Sequence, residues 1–178
     1  MATFNGRIWK FGEDINTDLI QPIVRSASTT ERHLMCFSAN RPGWSSEVQP
    51  GDIIIAGKNF GCGSSRPAAQ NFVKLGIAFI GAESVNGLFL RNSINFGLPI
   101  MTVPGVAAGF EEPDVATVDL AAGTVANSRT GQSFKFAPMP QMLLDLLAQG
   151  GLMPSMRERG LIRPPKPLVV ASRGGGSD

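Results

Sequence analysis

The sequence predicts an α/β fold in a single domain. In the middle of the chain, short runs of β-branched and apolar residues alternate with segments of helical periodicity, a pattern typical of strands joined by helices. Farther along, short alternating segments are separated only by turn residues, which favours antiparallel strands. With 178 residues, of which 43% are hydrophobic, the chain can build one compact core but not two ordinary domains.

The first third of the chain contains two predicted strands. Polar and apolar residues alternate within residues 1–12, which predicts an opening strand that ends at a glycine. Residues 14–18 are polar and form turns readily. Residues 23–49 have no regular period, so we expect a long irregular loop there. Residues 52–57 form a β-branched run bounded by glycines, which predicts a buried strand.

The later elements follow from the same periodicities. They are a helix at 67–75, a strand at 77–80, a helix at 84–91, a strand at 98–103, antiparallel strands at 115–120, 124–126 and 133–136, and a helix around 142–147. A pair of glycines ends the last helix. Proline and glycine dominate beyond residue 160, so residues 163–178 are predicted to be a disordered tail on a domain formed by residues 1–162.

The composition argues against several classes of protein. The formal net charge is +2 and there is no tyrosine; Lys and Arg are not clustered, so no nucleic-acid partner is expected. No apolar run is long enough to span a membrane, so no membrane partner is expected either. The first residues lack the apolar core of a secretion signal, and the sequence therefore predicts a cytoplasmic protein with reduced thiols.

A glycine-rich loop at residues 61–66, Gly-Cys-Gly-Ser-Ser-Arg, connects a predicted buried strand to a predicted helix. Backbone amides and the dipole at a helix start favour an anion. Hydroxyls from Ser64 and Ser65 and the guanidinium fork of Arg66 would add donors for a carboxylate or phosphate. In the alternative interpretation, one of the serines only caps the helix. The loop is neither a Walker loop nor a Rossmann fingerprint, because it lacks the lysine of the first and the third glycine of the second.

Other polar residues receive structural interpretations. Cys62 as a nucleophile would require His33, the only histidine, and no pattern brings the two together. His33 and Cys36 are too few for a closed metal site, so we expect no metal bound by this chain. A disulfide between the two cysteines is possible but has no framework behind it. Glu83 is interpreted as a cap of the helix that follows it, and Arg91 as a cation at that helix's end.

Residues 51–66 resemble the signature of the isopropylmalate dehydratase small-subunit family. Further motifs resemble the family in the same order, at residues 9–12, 16–22, 82–84, 91–99, 150–152 and 157–160. The resemblance covers nearly the whole chain. It implies a swivelling β/β/α domain of the aconitase type.

The resemblance also implies a function: the small subunit of a [4Fe-4S]-dependent hydro-lyase that interconverts 3-isopropylmalate and 2-isopropylmalate through a cis-alkene, in leucine biosynthesis. In this family Ser64 corresponds to the base that removes the carbon-bound proton, and Ser65 and Arg66 bind substrate carboxylate. Arg25 is the candidate for a second substrate arginine. A cluster of this type needs three cysteine ligands, and the chain has two, so a separate large subunit is expected to carry it.

The sequence departs from the family pattern after Arg66. Pro67 and Ala68 stand where family members often have Glu and His, which bears on local hydrogen bonds and on substrate choice. Related methyl-substituted malates, citramalate and homocitrate are alternative substrates, all of them hydroxy di- or tricarboxylates. A non-catalytic module whose glycine loop binds phosphate or carboxylate is the alternative from a different functional class.

Overall fold

Seven strands form one sheet in the part of the chain that the structure describes. The structure is a computed structural model, and it describes residues 3–22, 31–63 and 67–162. The strands are β1 Thr3–Phe11, β2 Ile53–Ala56, β3 Phe79–Ala82, β4 Ile100–Thr102, β5 Val115–Asp119, β6 Thr124–Asn127 and β7 Ser133–Lys135. Their order across the sheet is β4-β3-β2-β1-β5-β6-β7. Strands β1 to β4 are parallel, and β5 to β7 continue antiparallel from the other side of β1.

Short helices connect and cover these strands. They are α1 Thr17–Ile20, α2 Trp44–Glu47, α3 Ala68–Leu75, α4 Gly87–Asn95, α5 Gln141–Ala148 and α6 Leu152–Glu158, with 3₁₀ turns at Arg32–Met35 and Val106–Gly109. Helices α3 and α4 are the crossovers between parallel strands, as such pairings require. The predicted α/β class and the antiparallel continuation are therefore confirmed, whereas α6 was not predicted.

The sheet is buried on both faces because neighbouring residues of a strand point in opposite directions. Ile8 belongs to a cluster that contains Val118 and Val125, so the antiparallel strands curl over that face. Trp9 and Phe11 belong to a second cluster, which contains residues of α1, α2, α3 and α4. The result is a layer of curled strands, a layer of parallel strands and a layer of helices, which confirms the predicted β/β/α architecture.

The segment at residues 31–49 differs from the irregular loop that was predicted. It contains a 3₁₀ turn and α2, and it buries Phe37 and Trp44 completely, at 0% and 1% exposure. Arg41 fastens it to the other half of the sheet through two hydrogen bonds to Glu112, of 2.8 and 2.7 Å. Two isolated aromatic residues hold this segment in the core. Because they do not recur at a helical or strand spacing, periodicity could not reveal the segment's structure. Residues 23–30 of the predicted loop lie outside the described residues.

The interpretations of Glu83 and Arg91 are also corrected. Asn86 caps α4, since its side chain accepts the Leu88 N–H at 3.0 Å. The Glu83 carboxylate instead accepts hydrogen bonds from the N–H groups of Gly105 and Ala107. Gly105 lies just before the 3₁₀ turn at Val106–Gly109, and Ala107 lies within it. Arg91 lies inside α4, and its Nε donates to the Gly87 carbonyl at 3.2 Å.

None of the helices in the described ranges is both long and apolar enough to cross a bilayer. The predicted tail at residues 163–178 falls outside the described residues, so its disorder stays a prediction.

Candidate functional site

The candidate site lies at the edge of the sheet where the parallel strands end. Ligands of open α/β sheets bind outside the carboxyl ends of the strands. Three chain segments leave β1, β2 and β3 at this edge, namely residues 12–17, 57–63 and 83–86. Backbone hydrogen bonds join neighbouring segments, from Asp14 N to Lys58 O at 2.9 Å and from Phe60 N to Ser84 O at 3.0 Å.

The beginning of the glycine-rich loop is held on one side by the residues around the start of α1. Gly61 donates to the Ile15 carbonyl at 2.8 Å, and Thr17 donates to the Cys62 carbonyl at 2.7 Å. Asn16 and Cys62 form an isolated parallel bridge between these two strips of backbone. The two segments therefore behave as one short added pair of strands at the edge of the site.

Gly61 and Gly63 are required by internal packing. Both have positive φ angles, of 76° and 101°. A Cβ atom at Gly61 would lie 2.8 Å from Cδ1 of Phe89, and closer still to its Cβ and Cγ. At Gly63 it would lie 2.9 Å from Cγ and 3.0 Å from Nδ2 of Asn16, and closer still to its Oδ1. At these two described glycines, the close neighbours are the protein's own side chains.

The residues to which catalysis and binding were assigned, Ser64, Ser65, Arg66 and Arg25, lie outside the described residues. Their flanks are described. Pro67 takes the N-cap position of α3, so neither Ser64 nor Ser65 is the N-cap residue. The N-cap position, at which one of these serines was expected, therefore belongs to Pro67. Ala68 and Ala69, in the first turn of α3, are fully buried.

The chain that leads towards Arg25 contacts the helix that follows Arg66. Gln21 is buried, and its side-chain oxygen accepts a hydrogen bond from Nδ2 of Asn71 in α3, at 3.1 Å. A buried amide pair of this kind fixes the relative position of the two segments, because a buried polar group without its partner is costly. Both stretches that carry predicted site residues therefore adjoin one region of the described structure.

The cysteines do not form a metal centre. Both are free thiols, and burial raises the pKa of Cys36 to about 12, so this thiol is protonated at neutral pH. Within the described ranges, which include both cysteines and the only histidine, no group of three or more His, Cys, Asp or Glu side chains could hold a metal ion. The two thiols also make no disulfide with each other, which leaves Cys62 as a half-buried residue of the loop.

A carboxylate with several hydrogen-bond donors lies at the opposite end of the strands. Asp52 precedes β2 and accepts hydrogen bonds from Arg7 at 2.8 Å, Trp9 at 2.7 Å and the Gln49 N–H at 2.9 Å. Burial alone would raise the pKa of Asp52, but these donors outweigh it and lower that pKa. Arg7 also lies over the Trp9 ring, 4.5 Å from its centroid. The group stabilises the fold and is remote from the glycine-rich loop.

Comparison with known proteins places these features in a family context. Residues 15–104 match the model of the aconitase C-terminal domain. The chain is 40% identical to the isopropylmalate/citramalate isomerase small subunit of Methanocaldococcus jannaschii, over 89% of this chain and 96% of that protein. It is also 40% identical to the 3-isopropylmalate dehydratase small subunit of Heliobacterium modesticaldum, over 88% of this chain and 96% of that protein.

A solved structure agrees with these relationships. The crystal structure of a 3-isopropylmalate dehydratase from Methanocaldococcus jannaschii superposes with a TM-score of 0.78, at 31% identity. The match covers 89% of this chain and 96% of that one.

Proposed function

Because this chain belongs to the 3-isopropylmalate dehydratase small subunits of the aconitase family, we propose that it is the small subunit of a hydro-lyase that interconverts 3-isopropylmalate and 2-isopropylmalate. The observation that carries the proposal is the position of the glycine-rich loop. It leaves the carboxyl edge of four parallel strands and leads into Ser64, Ser65 and Arg66. Similarity over most of the chain to relatives of this name supports the same activity.

Proton transfer is assigned to Ser64. Dehydration removes a hydroxyl from one carbon and a proton from its neighbour, and rehydration adds water back in the opposite sense. A serine hydroxyl is a weak base unless its alkoxide is stabilised, so cationic and N–H donors must surround it. Arg66 is next but one in the chain and supplies such a charge. Arg66 and Ser65 are also assigned to one substrate carboxylate, and Arg25 to the other.

The iron–sulfur cluster of the family does not fit this chain. Its only cysteines are Cys36 and Cys62, and Cys36 is buried and protonated. Three thiolates in one site are needed for a cluster of this type. We therefore assign the [4Fe-4S] cluster to a separate large subunit, which must cover the carboxyl edge of the sheet to bring the cluster to the substrate.

The departure at Pro67 and Ala68 has a structural explanation. Pro67 occupies the N-cap of α3, where its missing N–H costs nothing, and Ala68 is completely buried in the cluster that contains Phe72. A histidine at residue 68 would have to displace core side chains. In this protein the position serves packing, so the hydrogen bonds that a Glu-His pair would make must come from other residues or from the large subunit.

The substrate is proposed to be isopropylmalate, with the enzyme acting in the cytoplasm in leucine biosynthesis. Citramalate is the nearest alternative, because one relative is named for both activities. Homocitrate and other substituted malates differ from these in the group attached to the malate core. Discrimination among them depends on the residues around that group, and one methylene in an apolar pocket is worth about 1–3 kcal/mol.

The test is an anaerobic reconstitution with the large subunit of the same organism, followed by assays on a panel of substituted malates. We expect turnover of isopropylmalate by the pair and none by either subunit alone. The matched control is a pair that contains Ser64→Ala. Turnover by the small subunit alone would refute the proposal. Binding of a carboxylate without turnover by any pair would instead favour the non-catalytic anion-binding module.

A further inference from the structure

The side chain of Asn16 lies directly against the last described residue before Ser64. Its carboxamide occupies the space that a side chain on Gly63 would need, with Cγ and Nδ2 at 2.9 and 3.0 Å from the position of that missing Cβ. Asn16 also forms the bridge to Cys62 and caps α1, since its Oδ1 accepts the Asp18 N–H at 2.8 Å. One residue therefore joins the start of α1 to the entrance of the glycine-rich loop.

The described residues on either side of 64–66 contact different parts of the molecule. On the Arg66 side, Pro67 leads into α3, whose first two residues are buried in the core. On the Ser64 side, Gly63 is exposed and has a left-handed backbone, so it has few restraints of its own. On that side the neighbouring group is the Asn16 carboxamide, which lies where a side chain of Gly63 would be.

We propose that Asn16 is a positioning residue that holds Gly63 and thereby aims Ser64 at the substrate carbon. The inference rests on the proposed function, in which Ser64 is the base. A base must come within hydrogen-bond reach of the proton that it removes. Because the residues that follow Arg66 are held independently in α3, loss of the Asn16 contact should impair proton transfer more than substrate binding.

Asn86 is a matched control within the same chain. It is also an N-cap asparagine with an extended backbone, at φ −65° and ψ 131° against −76° and 144° for Asn16. Its side chain makes the same capping bond, to the Leu88 N–H. Both asparagines are half-buried. They differ in that only Asn16 has its carboxamide against Gly63.

The decisive variant is Asn16→Ser, compared with Asn86→Ser. Serine is as good an N-cap residue as asparagine, so both variants should keep the wild-type melting temperature. Serine lacks the carboxamide that contacts Gly63. In the reconstituted complex, the kcat of Asn16→Ser should fall by at least about tenfold, towards the roughly 10²-fold cost of a 1 Å misplacement. Its KM should change little, and the kcat of Asn86→Ser should stay well above that of Asn16→Ser.

A second measurement does not depend on catalysis. Hydrogen exchange of the peptide spanning residues 61–68 in the isolated full-length chain should be faster in Asn16→Ser than in the wild type or Asn86→Ser. If the wild-type pair turns over no substituted malate, the proposed function fails, while this exchange measurement still decides whether Asn16 holds the loop. A wild-type kcat in Asn16→Ser, unchanged exchange in the peptide, or a variant that no longer folds would each overturn the inference, the last because it would make Asn16 a residue of the fold alone.

Discussion

Replacing Gly61 by alanine should destabilise the protein much more than the same change at Gly131. Both glycines have positive φ angles, 76° and 73°. A Cβ atom at Gly131 would meet nothing within 4 Å, whereas at Gly61 it would overlap the Cβ, Cγ and Cδ1 atoms of Phe89. Comparing the two substitutions therefore separates the free-energy cost of a left-handed backbone from the cost of a steric clash with Phe89.

The magnitudes follow from these contacts. A non-glycine residue in the left-handed region costs about 1–2 kcal/mol, and this is the whole effect expected for Gly131→Ala. Overpacking of a buried site adds about 1–3 kcal/mol. Phe89 is only 1% exposed and cannot move towards solvent, so Gly61→Ala should cost about 2–5 kcal/mol in total. For a chain of this length, the excess over the control corresponds to roughly 2–12 °C in melting temperature.

Urea unfolding followed by tryptophan fluorescence measures the stability of both variants, because Trp9 and Trp44 are buried in the cluster between the sheet and the helices. The urea concentration at the midpoint of unfolding should fall, while the dependence of the unfolding free energy on urea concentration stays the same. This result would show that the stability has changed and the denatured state has not. Gly61→Ala and Gly131→Ala with equal midpoints would refute the packing argument.

Three further outcomes are expected. In the reconstituted complex, Ser64→Ala should lower kcat by roughly 10²–10⁴ with little change in inhibitor affinity, whereas Arg66→Lys should mainly raise KM; a Ser64→Ala enzyme with normal kcat would contradict the assigned base. The pKa of Asp52 is lowered in the fold, so the stability that its carboxylate adds should be complete above about pH 4 and be lost as the pH falls through that lowered pKa. Asp52→Asn should therefore be less stable than the wild type at pH 7, and the two stabilities should converge in acid. A thiol reagent at neutral pH should leave Cys36 unmodified in the native chain, and modification of both thiols without denaturant would show that its burial is wrong.

The parallel core of the fold could be predicted from local patterns, and its boundaries could not. The predicted helix at 84–91 begins later, at Gly87, because the residues before it bind other segments at the edge of the sheet. Ser84 accepts the Asn59 N–H at 2.8 Å, and Glu83 binds two amides more than twenty residues away. Side-chain bonds over such distances leave no periodic signal, so propensity alone extended the helix too far.

Helix α6 was missed for a different reason. It follows a glycine pair and contains Pro154 as its third residue, both of which indicate a helix end when they are read along the chain. Proline is tolerated in a first turn because its missing N–H would have no partner there. The structure shows that the glycine pair separates two helices, and a Cβ at Gly151 would overlap the backbone of Asn95 and Gly97.

The candidate site was predicted unevenly. Family resemblance supplied the roles of Ser64, Ser65, Arg66 and Arg25. Composition and periodicity alone indicate only an anion-binding loop at residues 61–66. The contact between Asn16 and Gly63 was not predicted, although an asparagine in front of a short helical turn is a recognisable N-cap. An N-cap can be recognised from the sequence of one segment. The contact of Asn16 with Gly63 joins two segments that are distant in sequence, so it exists only in the folded protein.

The central place of β1 determines which parts of the chain can fold as autonomous units. This strand pairs with β2 on one side and β5 on the other, with Ile8 opposite Ile53 and Thr3 opposite Asp119. A fragment restricted to residues 15–104, the span that matches the aconitase C-terminal domain, would lack it and leave one long side of β2 without a neighbour. Such unpaired edges invite association with other chains. During synthesis, β1 must also wait for its antiparallel neighbour β5 until the roughly one hundred residues between them have been made. High contact order of this kind slows folding, so a nascent chain of this protein gives chaperones a long interval in which to act.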